Sequence, residues 1–300
     1  MKELGFEGRV AVVSGAGRGI GRAYAKLLGA RSARVVVNDL GGSIRGEGTA
    51  SEPASSVAAE IIASGGEAIA DHSDVSTQVG AEALVDAAVG QFGRIDIVLN
   101  NAGIVRWAGF PEADADNLER HLAVHVGGSF HTARAAWPHM AEQSYGRIIM
   151  TTSSGLFGLP NNLSYATAKA GVVGLTRSLA TAGGAHGIKI NAIAPAAMTR
   201  MAGRAKDEAE DAGEMSPDLV APMAAFLAHE TCPVNGEIYA AGAGRFARIF
   251  IAQAAGYVAE SSGPTIEDVA QNWAAINDAA ASAIPASLQD WSTFFLAHLR

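Results

Sequence analysis

The sequence predicts an α/β protein: a doubly wound parallel sheet of about seven strands, followed by a helical C-terminal extension. Three observations carry that prediction. Short apolar runs such as Val10–Val13, Val35–Val37 and Ile148–Met150 alternate with segments of helical apolar spacing, the pattern of a parallel sheet covered on both faces. Most of the glycine-rich or polar clusters that stand out follow one of these runs, which gathers them at the C-terminal strand ends, where such sheets bind ligands. Finally, 300 residues with 49% hydrophobic content are enough for one substantial core.

Composition narrows the function. There is one cysteine, Cys232, so no disulfide framework or cysteine-based metal site is expected, and a reducing, cytoplasmic compartment is the expectation. Met1–Gly8 has no long apolar region and no run reaches membrane-spanning length, so neither a signal peptide nor membrane insertion is expected. A net charge of -8 gives no reason to expect nucleic acid. A small-molecule substrate remains.

The first strand, Val10–Val13, runs into Ser14-Gly15-Ala16-Gly17-Arg18-Gly19-Ile20-Gly21, and Tyr24, Leu27 and Leu28 mark the helix that follows. Gly15, Gly19 and Gly21 remove side chains where backbone must approach a pyrophosphate, and a helix N-terminus offers free N–H groups. A tight turn without a ligand would read the same way. The second strand ends at Asp39, 18 residues after Gly21, where a dinucleotide fold places an acid on the adenosine ribose. That acid repels a 2′-phosphate and favours NAD over NADP; Arg18 and Arg45 pull the other way. The loop 40–53 is longer than a usual connection, hence functional or mobile.

Helix 54–64 and a strand near Glu67–Ala70 lead to Asp74-Val75, at the adenine position. Helix 77–91 leads to a strand over Arg94–Leu99 and then to Asn100-Asn101-Ala102-Gly103, which can pack against a cofactor or close a tight turn. A long helical pattern over 114–141 carries His121 and His125 on one face. With no third ligand and no suitably spaced carboxylate, packing or hydrogen bonding is the expectation, not a metal site.

Strand residues Arg147–Met150 precede Thr152-Ser153-Ser154-Gly155, and a helix then carries Tyr165 and Lys169. Four residues apart, these two share a face. An ammonium beside a phenol lowers the phenol pKa towards working pH, and a strand-end hydroxyl can bond the same substrate oxygen. Such groups move a proton on a carbonyl or alcohol oxygen, but a cofactor must carry the hydride. Taken alone, Tyr-x-x-x-Lys is more often an ordinary surface pair; its setting changes that.

A strand over Lys189–Ala194 ends at Pro195. The polar segment 196–216, containing Lys206–Asp211, reads as a solvated loop or a substrate lid. Helix 217–229 and strand 236–240 complete a dinucleotide-binding and catalytic domain over 1–245. The extension 246–300 is expected to be helical: Phe246, Ile249, Phe250 and Ala254 suggest one helix, Thr265–Asp268 opens another, and Trp291 and Phe294–Leu296 end it. So apolar a tail packs on its own domain or on a neighbouring subunit.

Together these motifs resemble the short-chain dehydrogenase/reductase family, in its order and spacing, from about Phe6 to Gly244. The resemblance implies a Rossmann-like fold, an NAD-dependent oxidoreductase acting on CH–OH groups, and a homodimer or homotetramer. It implies cofactor contacts from Gly15, Arg18, Gly19, Ile20, Gly21, Asp39, Asp74, Val75, Asn101, Ala102, Gly103, Tyr165, Lys169, Pro195 and Thr199. The implied catalytic residues are Ser153, Tyr165, Lys169 and His125. The family serine lies thirteen residues before the tyrosine, where this chain has Thr152; a one-residue deletion selects Ser153, with Ser154 second. His125 stands at the family's relay asparagine, and Ala196 replaces a glycine. Gly21–Ala25, Val35–Gly42, Arg134–Trp137, Gly146–Thr151 and Ser216–Pro222 more narrowly resemble the (3R)-hydroxyacyl-CoA dehydrogenase unit of peroxisomal multifunctional enzyme type 2 and its bacterial relatives in lipid breakdown. That implies an acyl-CoA substrate. A 17β-hydroxysteroid or another ketone/alcohol is the alternative, and a non-catalytic NAD-binding sensor or partner subunit is the alternative of another class. The pocket would come from 104–113, 155–163 and 196–216, with Leu156, Phe157, Leu159 and Pro160 apolar and Arg106, Arg200 and Arg204 basic.

Overall fold

The sheet is built outward from β1 (Val10–Ser14), whose five residues are all buried. In the computed structural model, which describes residues 3–202, 213–260 and 263–299, β1 lies between β2 (Arg34–Asn38) and β4 (Ile97–Asn100). The other strands are β3 (Glu67–Asp71), β5 (Gly146–Thr151), β6 (Ile188–Pro195), β7 (Ile238–Gly242) and β8 (Arg245–Ile249). Their spatial order is β3-β2-β1-β4-β5-β6-β7-β8, parallel from β3 through β7. The central strands are continuous Val, Ile and Ala runs because helices cover both faces. Those helices are α1 (Gly19–Ala30), α2 (Glu52–Ala63), α3 (Gln78–Phe92), α4 (Ala115–His121), α5 (Gly128–Glu142), α6 (Leu163–Gly183) and α7 (Ala221–Ala228). The long helix expected over 114–141 is broken by a π turn at Leu122–Gly127.

The predicted doubly wound sheet is present, with an eighth strand. Phe246 and Ile249 lie in that strand, not in the helix their spacing suggests. Ala243 (φ 50°) and Gly244 (φ 71°) make a two-residue connection after β7, and positive φ at both positions is the geometry of a tight hairpin. Arg248 then forms a two-bond ion pair with Glu237, each bond 2.7 Å. The helical spacing of Phe246, Ile249, Phe250 and Ala254 cannot outweigh a turn.

The chain reverses direction across the sheet between β1 and β4, the switch point where such folds open a crevice. Ser14 closes its base: its Oγ accepts the N–H groups of Asn101 and Ala102, both at 3.1 Å. The Asn101 amide donates to the carbonyls of Ser14 and Gly15, each at 3.0 Å. Two glycines are required by this closeness. A Cβ on Gly15 would lie 2.8 Å from Ala102 Cα, and one on Gly21 2.2 Å from the Gly15 carbonyl oxygen.

The chain divides into two compact units, Met1–Arg248 and Ile249–Arg300. Among its described residues, the second holds a short antiparallel pair, β9 (Gln253–Ala254) with β10 (Ser282–Ala283), and the helices α8 (Ile266–Gln271), α9 (Trp273–Ile276) and α10 (Leu288–Phe295). Thr265 and Asp268 form a capping box at the start of α8. Trp291 stacks on Phe295 at 4.9 Å and donates its indole N–H to Gln253. No helix of the described residues is long and apolar enough to cross a membrane.

Glycine substitutions separate close approach from mere flexibility. Gly21→Ala forces a methyl onto a backbone oxygen and is expected to cost roughly 2 kcal/mol or more, lowering the melting temperature by about 5 °C. Gly90→Ala lies within α3 with nothing near its added methyl and is expected to stabilise by about 1 kcal/mol. Thermal denaturation of the two variants checks both.

Candidate active site

The end of β5 and the first turns of α6 are joined by a reciprocal pair of bonds. Lys169 is buried and its Nζ donates to the Thr151 carbonyl at 2.7 Å; Thr152 Oγ1 donates to the Lys169 carbonyl at 2.6 Å. Thr152 therefore spends its hydroxyl on helix backbone. Ser154 is exposed. Ser153 is the hydroxyl beside Tyr165: a Cβ on Gly155 would lie 3.4 Å from Ser153 Oγ and 3.7 Å from the Tyr165 ring, and Ser153 Oγ accepts the Gly155 N–H at 3.0 Å. Lys169 Nζ lies 5.7 Å from the Tyr165 ring centre.

Burial dominates the electrostatics here. It pushes Tyr165 above its usual value, partly opposed by the Ser153 hydroxyl. It also pulls Lys169 from 10.5 to about 7. This corrects the expectation that Lys169 lowers the Tyr165 pKa: in this arrangement desolvation raises it, because both groups are shielded from water and neutral forms are favoured.

Two histidines wall the other side of the phenol. His121 and His125 stack at 5.9 Å, and each meets Tyr165 edge-on, at 6.2 and 5.3 Å. His125 Nε2 lies 2.9 Å from the Ile104 carbonyl and 3.4 Å from the Ile104 nitrogen; the shorter contact, to an oxygen that can only accept, assigns the proton to Nε2 and leaves Nδ1 a buried acceptor with no partner. Burial holds the His125 pKa well below its usual value, with Lys169 adding to the effect. His121 Nδ1–H donates to the Asn117 carbonyl at 2.7 Å and its Nε2 accepts the Arg106 N–H at 3.2 Å; burial again lowers its pKa. Among the described residues no group of three His, Cys, Asp or Glu side chains is placed to hold a metal.

A cleft runs along the strand ends from the switch point. Gly15, Arg18, Gly19, Ile20, Gly21, Asp39, Asp74, Val75, Asn101, Ala102, Gly103 and Thr199 all line it. Pro195, Ser153, Tyr165 and Lys169 do not. The two regions meet at Gly103, where an added Cβ would lie 2.7 Å from the His125 ring. The cleft's chemistry suits a dinucleotide. No side chain caps the α1 N-terminus, so its N–H groups face the glycine cradle. Thr199 overhangs Gly19, 3.4 Å from where a Cβ would be. The Asp39 oxygens accept N–H bonds from Gly17 (2.9 Å) and Gly41 (2.7 Å), and each keeps a lone pair for a ribose hydroxyl.

Some expected residues act as scaffold. Asp74 accepts from Ser76 N–H (2.9 Å) and Oγ (2.7 Å) and so shapes the entry to α3. Asn101 ties strand ends together. Sequence reasoning assigned no role to Ser14, though a hydroxyl ending a buried strand before glycine is a usable signal, and it gave His121 none beyond packing or hydrogen bonding. The proposed lid is pinched at its base by the Met198 N–H on the Met215 carbonyl, 2.8 Å. Arg204 and Lys206–Asp211 lie outside the described residues.

A dinucleotide cleft adjoining a serine and a tyrosine beside a buried lysine defines a class of nicotinamide-dependent oxidoreductases. A family model described as short chain dehydrogenase matches residues 9–211, and the chain belongs to that family. It is an oxidoreductase of CH–OH groups with a small-molecule substrate. It is 42% identical to a short-chain type dehydrogenase/reductase of Mycobacterium tuberculosis, over 91% of this chain and 96% of that one. It is 40% identical to peroxisomal multifunctional enzyme type 2 of Mus musculus, over 96% of this chain but only 39% of that longer protein. It is 37% identical to hydroxyacyl-CoA dehydrogenase ChsB1 of Mycobacterium tuberculosis, over 78% and 77% of the two chains. A crystal structure of a short chain dehydrogenase from Mycobacterium avium superposes with a TM-score of 0.80 at 35% identity, covering 91% of this chain and 97% of that one.

The buried lysine has a measurable signature. Between pH 7 and 10.5 the unfolded chain binds a proton at Lys169 that the folded chain does not, so stability rises with pH through that window. Lys169→Met removes this term. Its melting temperature relative to the unsubstituted protein is expected to be most favourable at pH 7 and to lose ground towards pH 10. Parallel curves for the two proteins would show that the ammonium is not depressed.

Proposed function

We propose that the protein is an NAD-dependent dehydrogenase interconverting a (3R)-hydroxyacyl-CoA and its 3-ketoacyl-CoA. The observation that carries this reading is the clustering of Ser153 and Tyr165 beside buried Lys169, reached through Gly103 from a cleft lined by Asp39. Bound nicotinamide supplies or takes up the hydride. Tyr165 takes the hydroxyl proton during oxidation and returns it during reduction. Ser153 orients the same oxygen and stabilises its developing charge. Lys169 would hold the ribose of a bound nicotinamide, and once ionised it favours the phenolate. The unpartnered Nδ1 of His125 supports a relay role as an acceptor for a water. Asp39 supports NAD over NADP by repelling a 2′-phosphate. Gly15–Gly21, with Arg18 and Ile20, would take the pyrophosphate, and Pro195 and Thr199 would flank the nicotinamide.

The acyl-CoA assignment is supported by the similarity to a hydroxyacyl-CoA dehydrogenase and by the apolar Phe157, 73% exposed in the turn that follows Ser153. A homodimer or homotetramer in the cytoplasm fits the family.

The decisive assay follows NADH formation from NAD with (3R)- and (3S)-hydroxyacyl-CoA thioesters and a 17β-hydroxysteroid. Oxidation of the (3R) thioesters is the expected result. Oxidation of the steroid alone would move the substrate, and silence across the panel with NAD still bound would return the sensor reading. Tyr165→Phe is expected to lose about 10²- to 10⁴-fold in turnover with NAD affinity nearly unchanged. Asp39→Ala is expected to lower the NAD-to-NADP ratio of kcat/KM by roughly tenfold, since it removes a repulsive element.

A further inference from the structure

His121 is buried, as a core histidine would be, but all its bonds go to one short segment and the helix beneath it. The Arg106 N–H donates to His121 Nε2 (3.2 Å), His121 Nδ1–H donates to the Asn117 carbonyl (2.7 Å), and the Asn117 amide donates to the Arg106 carbonyl (3.1 Å). This closes a three-residue ring. Two residues earlier, the Ile104 carbonyl accepts from His125. The segment Ile104–Arg106 is thus stapled to both imidazoles. It also carries the contacts to the 40–53 loop: the Val105 N–H donates to the Ile44 carbonyl (2.7 Å) and Arg106 Nε to the Arg45 carbonyl (3.1 Å). The π turn begins directly after His121, and such turns cluster at functional sites.

We propose that His121 is a positioning residue for Tyr165: by latching Ile104–Arg106 to its helix, it holds the stacked imidazole pair edge-on against the phenol and keeps water from that side. It need not touch substrate. The ring requires a neutral imidazole, because protonation would set an Nε2–H against the Arg106 N–H. This rests on Tyr165 being the proton-transfer group, but its main test needs no substrate.

The ionisation of Tyr165 can be read as the ultraviolet difference near 295 nm between each protein and its Tyr165→Phe counterpart. The groups facing the phenol are Ser153, His121, His125 and Lys169. His121→Leu keeps the volume but breaks the ring; His121→Gln keeps an acceptor for the Arg106 N–H. The Leu variant is expected to titrate Tyr165 at lower pH than the unsubstituted protein, because water reaches the ring, and the Gln variant to restore most of the shift. With NAD and (3R)-3-hydroxydecanoyl-CoA, the Leu variant is expected to lose about tenfold in kcat with little change in NAD affinity, and Gln to recover it. An unchanged Tyr165 midpoint in the Leu variant would overturn the proposal. Equal impairment of Leu and Gln, with equal falls in melting temperature, would reduce His121 to packing. Failure of the thioester with the unsubstituted protein would overturn the substrate reading alone.

Discussion

The site depends on one buried exchange of hydrogen bonds. Lys169 donates to the backbone of β5, and Thr152, just past that strand, donates to the backbone of Lys169. A lysine without a carboxylate neighbour is costly to bury. It is tolerated because a carbonyl satisfies it and because it can shed its proton near neutrality. The exchange fixes where α6 starts relative to the strand end. With α6 placed, Tyr165 has a single position, against Ser153 on one side and two imidazoles on the other.

Burial has a second consequence. It drives phenol and ammonium together towards their neutral forms, so the pair is not a permanently charged acid–base couple. Desolvation outweighs attraction when both groups leave water. A charged Lys169 and an ionised Tyr165 would each stabilise the other, so a change in the surroundings that favours one favours both. The cofactor cleft reaches this centre through Gly103 and His125.

Much of this was legible in the residues. Strands buried on both faces announce themselves as Val and Ile runs, and the glycines after β1 mark a backbone that another group must approach. Asp39, Tyr165 and Lys169 could be named from spacing. The strand at Arg245–Ile249 was misread because its apolar spacing fits a helix, whereas a positive φ at Ala243 is invisible in a non-glycine residue. Among Thr152, Ser153 and Ser154 spacing offered three hydroxyls; only backbone direction at the strand end assigns one to α6, one to Tyr165 and one to solvent.

The sequence by itself determined the layered α/β architecture, the gathering of candidate ligand groups at the C-terminal strand ends and the kinds of group found there, because periodicity and glycine placement are local constraints that each strand–turn–helix unit carries alone. Tertiary structure decided the protonation preferences and the partners. Ser14 closing on Asn101, His121 locked to Arg106, and burial setting Lys169 near neutrality all join residues far apart along the chain. Desolvation is a property of the enclosure, and no spacing along the chain records it.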